Sequence, residues 1–263
     1  MRGALMVMML AGCRKTPPEI AGPPEDAQQV VASARARTVP SALQASYGIR
    51  IDAGSTSGST RGGMILHPPD QLRIDVLSPL NTPLAYIASD GTALHAWIQQ
   101  QGTFYRGDDA AEVLDELLGG AVSGADAVAV LSGGLPMVDA VLIDARYDEA
   151  RDTLRATFEA PQGARMLAWL DDAGTVHGLE LAGADGRALM TVDYGEHALT
   201  DDILLPGEIN VAFPTLGWSI DLNIRSWALL DPVPDVFTLS PPPGAVEADL
   251  IERLREAAAK AAP

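Results

Sequence analysis

VLSPLNTPLAYIASDGTALHAWIQQQGTFYRGDDAAEVLDELLGGAVSGADAVAVLSGGLP, residues 76–136, sets the organisation of the whole chain. It begins with a turn, Ser78-Pro79-Leu80-Asn81-Thr82-Pro83, between two apolar runs. Residues 84–88, 93–99 and 103–106 read as further strands, with turns at Ser89-Asp90-Gly91 and Gln101-Gly102. Glycine tolerates the positive φ of tight turns, and aspartate closes turns through nearby backbone N–H groups. The period then becomes helical. Asp108 suits an N-cap for a helix over 109–118, whose apolar face is Val113, Leu114, Leu117 and Leu118 and whose stop is Gly119-Gly120. A second short helix over 125–131 ends at Gly133-Gly134-Leu135-Pro136.

Upstream, Leu43, Ala45, Tyr47, Ile49 and Ile51 alternate with Gln44, Ser46, Gly48, Arg50 and Asp52. Period two with one polar face predicts a half-buried strand. A loop at 54–58 leads to a returning strand at 60–66. After the turn at 67–70, a third strand puts Leu72, Ile74 and Val76 on one face. Before these strands, residues 25–37 form a helical pattern with the stripe Val30, Val31 and Ala34, acids at its start and Arg35 and Arg37 at its end, as the helix dipole favours. Downstream, strands are expected at 153–159, 165–170, 176–181, 188–194, 208–213 and 218–229. About 11–12 antiparallel strands with short helices inserted midway predict a mainly β fold, a strongly curved sheet with helices on its concave face.

Of the 263 residues, 47% are hydrophobic and 20% charged, which suffices for a core and excludes disorder by composition. The formal net charge is −17. That excludes a basic nucleic-acid face and a polybasic lipid-docking patch. At the start, Arg2 precedes the apolar run Ala4-Leu5-Met6-Val7-Met8-Met9-Leu10, too short to span a bilayer. Leu10-Ala11-Gly12-Cys13 then matches a bacterial lipobox: small residues let a peptidase approach the backbone, and the cysteine thiol takes the lipid. Cys13 is the single cysteine, so it has no disulfide partner. Residues 1–12 therefore read as a lipoprotein signal peptide and 13–25 as an acylated, Pro-rich tether. Arg14, where an inner-membrane protein would carry Asp, agrees with lipid anchoring at the outer membrane, facing the periplasm. Residues 26–240 read as one domain, without internal repeat or long linker. Residues 241–263 read as a Pro-rich and Ala-rich tail.

No reaction chemistry stands out. His67, His95, His177 and His197 lack metal-ligand spacing, so no metal site is expected. There is no Gly-x-Ser-x-Gly elbow and no phosphate-cradling loop. The pairs Asp108-Asp109, Asp171-Asp172 and Asp201-Asp202 sit where helix caps and turns need acceptors. The expectation is a non-enzyme with no cofactor.

The words Ser78-Pro79-Leu80, Phe104-Tyr105-Arg106-Gly107, Asp108-Asp109-Ala110-Ala111-Glu112 and Gly134-Leu135-Pro136 occur in this order. With the ending Phe237 to Gly244 they resemble the LolA/LolB lipoprotein-carrier family, and the lipobox favours its anchored, LolB-type receptors. The resemblance spans 26–240. It implies an unclosed half-barrel with a helical lid over an apolar cavity for acyl chains. Inward candidates are Tyr47, Ile49, Ile51, Leu72, Ile74, Val76 and Trp97 on the sheet, and Leu114, Leu117, Val128 and Leu131 on the lid; ordinary core packing is the alternative for each. The resemblance also implies that Leu80 is a membrane-contact residue on a projecting loop. The function implied is a monomer that binds lipoprotein acyl chains, accepts lipoproteins from a periplasmic carrier protein and inserts them into the outer membrane. The alternative is an envelope lipoprotein of the same fold that binds another lipid or a protein partner.

Overall fold

The computed structural model describes residues 25–261, apart from 38, 40, 55, 119–121, 138 and 232. Helix α1 (Glu25–Ala36) precedes six strands: β1 (Ala42–Ala53), β2 (Thr56–His67), β3 (Gln71–Leu77), β4 (Pro83–Ser89), β5 (Leu94–Ile98) and β6 (Thr103–Gly107). Helices α2 (Ala110–Leu118) and α3 (Gly124–Leu131) follow. The second run is β7 (Val141–Asp148), β8 (Thr153–Glu159), β9 (Arg165–Leu170), β10 (Val176–Ala182) and β11 (Ala188–Tyr194). A separate small ladder, β12 (His197–Thr200) with β13 (Ile203–Pro206), leads to β14 (Glu208–Phe213) and β15 (Trp218–Leu230). Strand β16 (Val246–Asp249) and helix α4 (Leu250–Ala261) complete the described chain.

Among the described residues, fourteen strands form one sheet in the order β16-β6-β5-β4-β3-β2-β1-β15-β14-β11-β10-β9-β8-β7. Every neighbour pair is antiparallel except β16 with β6. The end strands β7 and β16 do not pair, so the sheet is unclosed. Its centre is the long pairing of β1 with β15, from Ala42↔Leu230 to Ala53↔Trp218, with a bulge between Ser46 and Tyr47. Residues opposite one another in a ladder share a face, so the registers define a single concave face. That face carries Leu43, Tyr47, Met64, Leu66, Leu72, Phe158, Leu179, Ile209 and Leu222, all buried. Burying a side chain of this size contributes roughly 1.5–3 kcal/mol, so this face is the main source of stability.

The helices cover that face in two places. On β8 and β9, α1 lays Ala27, Val31 and Ala34. The approach is close because Gly174, in the β9–β10 turn, has no side chain: a Cβ there would lie 2.7 Å from the Ala34 nitrogen and 2.9 Å from the Val30 oxygen. On β2 and β3, α3 lays Val128 and Val130, while α2 puts Val113 and Leu114 beside β6.

Two features differ from the sequence expectation. The sheet has fourteen strands rather than 11–12, because β7 and β16 add to it. In β7 a bulge between Leu142 and Asp144 interrupts the alternation that marks a strand. Within residues 241–263, expected as a tail, Val246–Asp249 and Leu250–Ala261 are built into the domain. Val246–Asp249 pairs along β6, and Arg255 of α4 reaches Glu116 at 2.9 Å and Glu112 at 3.7 Å on α2. The segment before β16 crosses the convex face, where the Phe237 ring is buried against His67, 6.0 Å between centroids, and Arg73 donates to the Val236 carbonyl.

Candidate functional site

The β3–β4 loop is a rigid projection. The Ser78 N–H donates to the Thr82 carbonyl at 2.8 Å, and the Asn81 N–H donates to the Ser78 carbonyl at 3.0 Å. The Ser78 hydroxyl oxygen accepts from the N–H groups of Leu80 and Thr82, both at 3.2 Å. From the neighbouring strand, the Arg61 guanidinium donates to the Pro79 carbonyl and the Thr60 hydroxyl to the Leu77 carbonyl. Asn81 takes the left-handed conformation that reverses the chain, φ 62°, which asparagine tolerates better than most residues. Pro79 and Pro83 cannot donate to a ladder. The result is Leu80 at the tip, 86% exposed.

The concave face and the helices facing it form the second part of the site. Tyr47, Ile49, Leu72, Leu114 and Val128 are buried in one continuous cluster, and Ile74, Leu117 and Leu131 pack half-buried against it. Val76 is half-buried and Ile51 exposed, towards the end of the sheet that carries the β1–β2 hairpin. Trp97 is not part of this surface. It pairs with Tyr86 and Phe104, whereas Ala96 pairs with Ile87 and Tyr105 in the row of Ile74. Period two therefore places Trp97 on the convex face, opposite the helices. With that correction, ten of the eleven expected lining residues come from one face of the sheet and the helices over it. In this conformation Tyr47, Ile49, Leu72, Leu114 and Val128 pack together between lid and sheet.

Polar latches hold α3 down. The buried Tyr194 hydroxyl, from the concave face of β11, donates to the Val130 carbonyl at 2.8 Å. Burial pushes its pKa up, which keeps the phenol a neutral donor. Tyr47 is likewise pushed up, by burial first and by the charge of Asp75 second. At the start of α3, Ser123 and Asp126 form a reciprocal capping box, and Asp126 also accepts from the Met137 N–H. The sequence contained the Ser-x-x-Asp signal for that cap. Beside α3, a cleft of about 500 Å³ runs between Ala125, Ala129, Leu135, Met137 and the β8–β9 turn at Pro161.

Other candidates fall elsewhere. Cys13, the signal peptide of residues 1–12 and the Gly119-Gly120 stop lie outside the described residues. His177 is 3.3 Å from Asp171, and its ring faces that of His197 with 5.5 Å between centroids. Burial and then His177 and Arg37 lower the His197 pKa. Among the described residues no group of three His, Cys, Asp or Glu could hold a metal ion, and no helix is long and apolar enough to cross a membrane.

No protein-family model matches the sequence, and no curated protein matches it. Solved structures do. A LolA superfamily protein from Nitrosomonas europaea superposes with a TM-score of 0.56 at 18% identity, covering 81% of this chain and 97% of that one. An outer membrane lipoprotein-sorting protein domain from Vibrio parahaemolyticus gives 0.55 at 12%, covering 80% and 93%. A DUF1329 family protein from Desulfovibrio piger gives 0.57 at 9%, covering 82% and 96%. The unclosed, curved antiparallel sheet with short helices on its concave face is therefore the fold of the LolA superfamily.

Proposed function

We propose that this chain is an outer-membrane-anchored lipoprotein that takes acyl chains between α3 and the concave face and delivers lipoproteins into the membrane. The observation that carries this reading is Leu80, held 86% exposed at the tip of a braced loop in a fold shared with LolA superfamily proteins. A leucine kept in water gains roughly 1.5–3 kcal/mol on entering lipid, enough for transient contact but not for anchoring. Anchoring falls to an acyl group on Cys13. Each CH₂ of a cargo chain left in water costs about 0.8 kcal/mol, so an aliphatic groove lowers the transfer barrier without any chemistry. Taking up a chain requires α3 to swing away, because Tyr47, Leu72 and Val128 occupy the groove when the lid is down. Cargo would come from a periplasmic carrier.

The test has two parts. Native mass spectrometry of the purified protein should find a co-bound acylated species; a lipoprotein acyl group supports delivery, and a free phospholipid or glycolipid supports a different cargo. Leu80→Glu should leave the thermal midpoint and acyl binding near normal but impair transfer into vesicles. A fall of several degrees in the midpoint would make Leu80 a packing residue and remove the membrane-contact role.

The packed groove favours one second reading: an envelope lipoprotein of this fold that docks a protein partner or another lipid and uses the concave face as core. Depletion that leaves outer-membrane lipoproteins correctly placed would select it.

A further inference from the structure

The registers bring four neighbouring turns, those of β1–β2, β3–β4, β5–β6 and β14–β15, to one end of the sheet; the β10–β11 and β8–β9 turns, with Asp185, Arg187, Glu159 and Arg165, lie further along the same rim. Ala53 pairs with both Thr56 and Trp218, so the β1–β2 and β14–β15 hairpins turn side by side. Leu77 pairs with Pro83 and Arg61, which puts the Leu80 loop at that end as well. Ala85 pairs with Ile98, and Ile98 with Thr103, which adds the β5–β6 turn.

These four turns differ chemically from the rest of the molecule. Residues 53–60, 76–89, 96–105 and 209–220 contain no Asp, Glu, Lys, Arg or His, although 20% of the chain is charged and its net charge is −17. The same end exposes large apolar side chains: Leu80, Leu84, Ile51 and Trp218, the last 41% exposed. Exposed apolar residues on three neighbouring hairpins, where the nearest charges are Asp52 and an Arg61 held on the Pro79 carbonyl, are not what a surface kept soluble by its acids needs.

We infer that this stretch of the rim, from the β5–β6 turn to the β14–β15 hairpin, and not the Leu80 loop alone, is a docking face for a lipid surface, with Trp218 as its second anchor. The inference deepens the membrane contact proposed for Leu80 and rests on that reading. Charge selects lipid as the occupant. An anionic bilayer repels acidic protein faces within about one Debye length, roughly 8 Å at physiological salt. The stretch of rim formed by these four turns, low in charge, is therefore the part an acidic, membrane-tethered domain presents with least repulsion. Indole adds specificity, because tryptophan favours the headgroup level, with its ring in the apolar boundary and its N–H in the wet layer. Two contacts on different hairpins fix the tilt of the domain, which a single leucine cannot do. The mouth of the concave face, where Ile51 and Val76 lie, then opens towards the bilayer.

The experiment uses the full acylated protein reconstituted in vesicles of phosphatidylethanolamine and phosphatidylglycerol, with no cargo added. Cys13 is the single cysteine and carries the acyl group, so Leu80→Cys, Trp218→Cys and Leu199→Cys each offer one free thiol for a nitroxide label. Leu199 is the control: it is exposed on the β12–β13 ladder, which lies at the other end of β14. Collision of each label with oxygen, which partitions into lipid, is compared with collision with a water-soluble nickel chelate. Labels at 80 and 218 should both show the lipid signature, severalfold above the label at 199. A lipid signature at 80 with an aqueous one at 218 overturns this inference and leaves the Leu80 contact standing. Aqueous signatures at both positions overturn the two together.

Discussion

Replacing Tyr194 by phenylalanine should loosen α3 without harming the sheet. The substitution removes one oxygen from a buried ring and leaves the ring in place. What is lost is the 2.8 Å bond from the hydroxyl to the Val130 carbonyl. That carbonyl keeps a second donor, the Gly133 N–H at 3.2 Å, so no buried acceptor is orphaned. The loss is then the net value of one neutral hydrogen bond, about 0.5–1.5 kcal/mol. If the bond is absent when the lid is raised, the opening equilibrium rises by roughly 2- to 12-fold, at about 1.4 kcal/mol per factor of ten. Hydrogen exchange followed by mass spectrometry measures this directly. Peptides covering α3 should exchange faster by that factor, while those covering β8 and β9 keep their rates. Thermal unfolding should fall only by roughly 2–4 °C per kcal/mol in a domain of this size. Equal acceleration in α3 and in β8–β9 would refute the reasoning, because the bond would then stabilise the whole domain and not the seating of the lid. No change in α3 would refute it as well.

Three further outcomes are expected. Gly62→Ala should lower the denaturation midpoint by the equivalent of roughly 1–3 kcal/mol, because a Cβ there meets the Asp75 carbonyl and lies 2.6 Å from the Tyr47 ring; an unchanged midpoint would mean that β2 and β3 part easily. Stability should fall as pH drops through the ordinary histidine range towards the lowered value of His197, because protonation there favours the unfolded chain; His197→Gln should flatten the thermal midpoint between about pH 7.5 and 5.5, and an unaltered slope would exclude this residue as the source. A chain ending before Val246 should lose far more stability in a urea titration than Arg255→Ala, whose exposed pairs with Glu112 and Glu116 contribute about 0–1 kcal/mol; equal losses would mean that β16 and the apolar side of α4 add nothing.

The strands and short helices between Leu43 and Leu131 were legible because each carries its own signal. Alternation marks β1 and β3, and glycines close the turns; the cap of α2 is Asp109, whose carboxylate accepts from the Ala111 and Glu112 N–H groups, one residue after the expected Asp108. What failed was information held between strands. Alternation says that Ala96 and Trp97 face opposite ways but not which of them faces the helices; that depends on the pairing of Ala96 with Ile87 and Tyr105. Strand β7 was hidden by its bulge and by Asp144, Arg146 and Asp148 on an edge strand, where polar residues are tolerated. Four residues, Val-Glu-Ala-Asp, are too few to reveal β16 by period; only the free edge of β6 makes them a strand. The exposure of Leu80 was readable from the flanking prolines. The network that holds it there, reaching from Thr60 and Arg61, was not.

The pairing of β1 with β15 has a consequence for how the protein comes into being. Strands β1 to β6 form a run of neighbours joined by short turns, and β7 to β11 form another, so each can zip from local contacts as soon as it exists. The two runs meet only where Leu43 finds Leu229, almost the whole length of the domain away in sequence. That closure demands the largest loop entropy in the fold and cannot occur before β15 has been made. A chain still emerging therefore has its two runs unjoined and the apolar row of β1 without one of its partners. For the export that the proposed function would require, late closure leaves the two halves of the sheet unjoined until the last strands arrive.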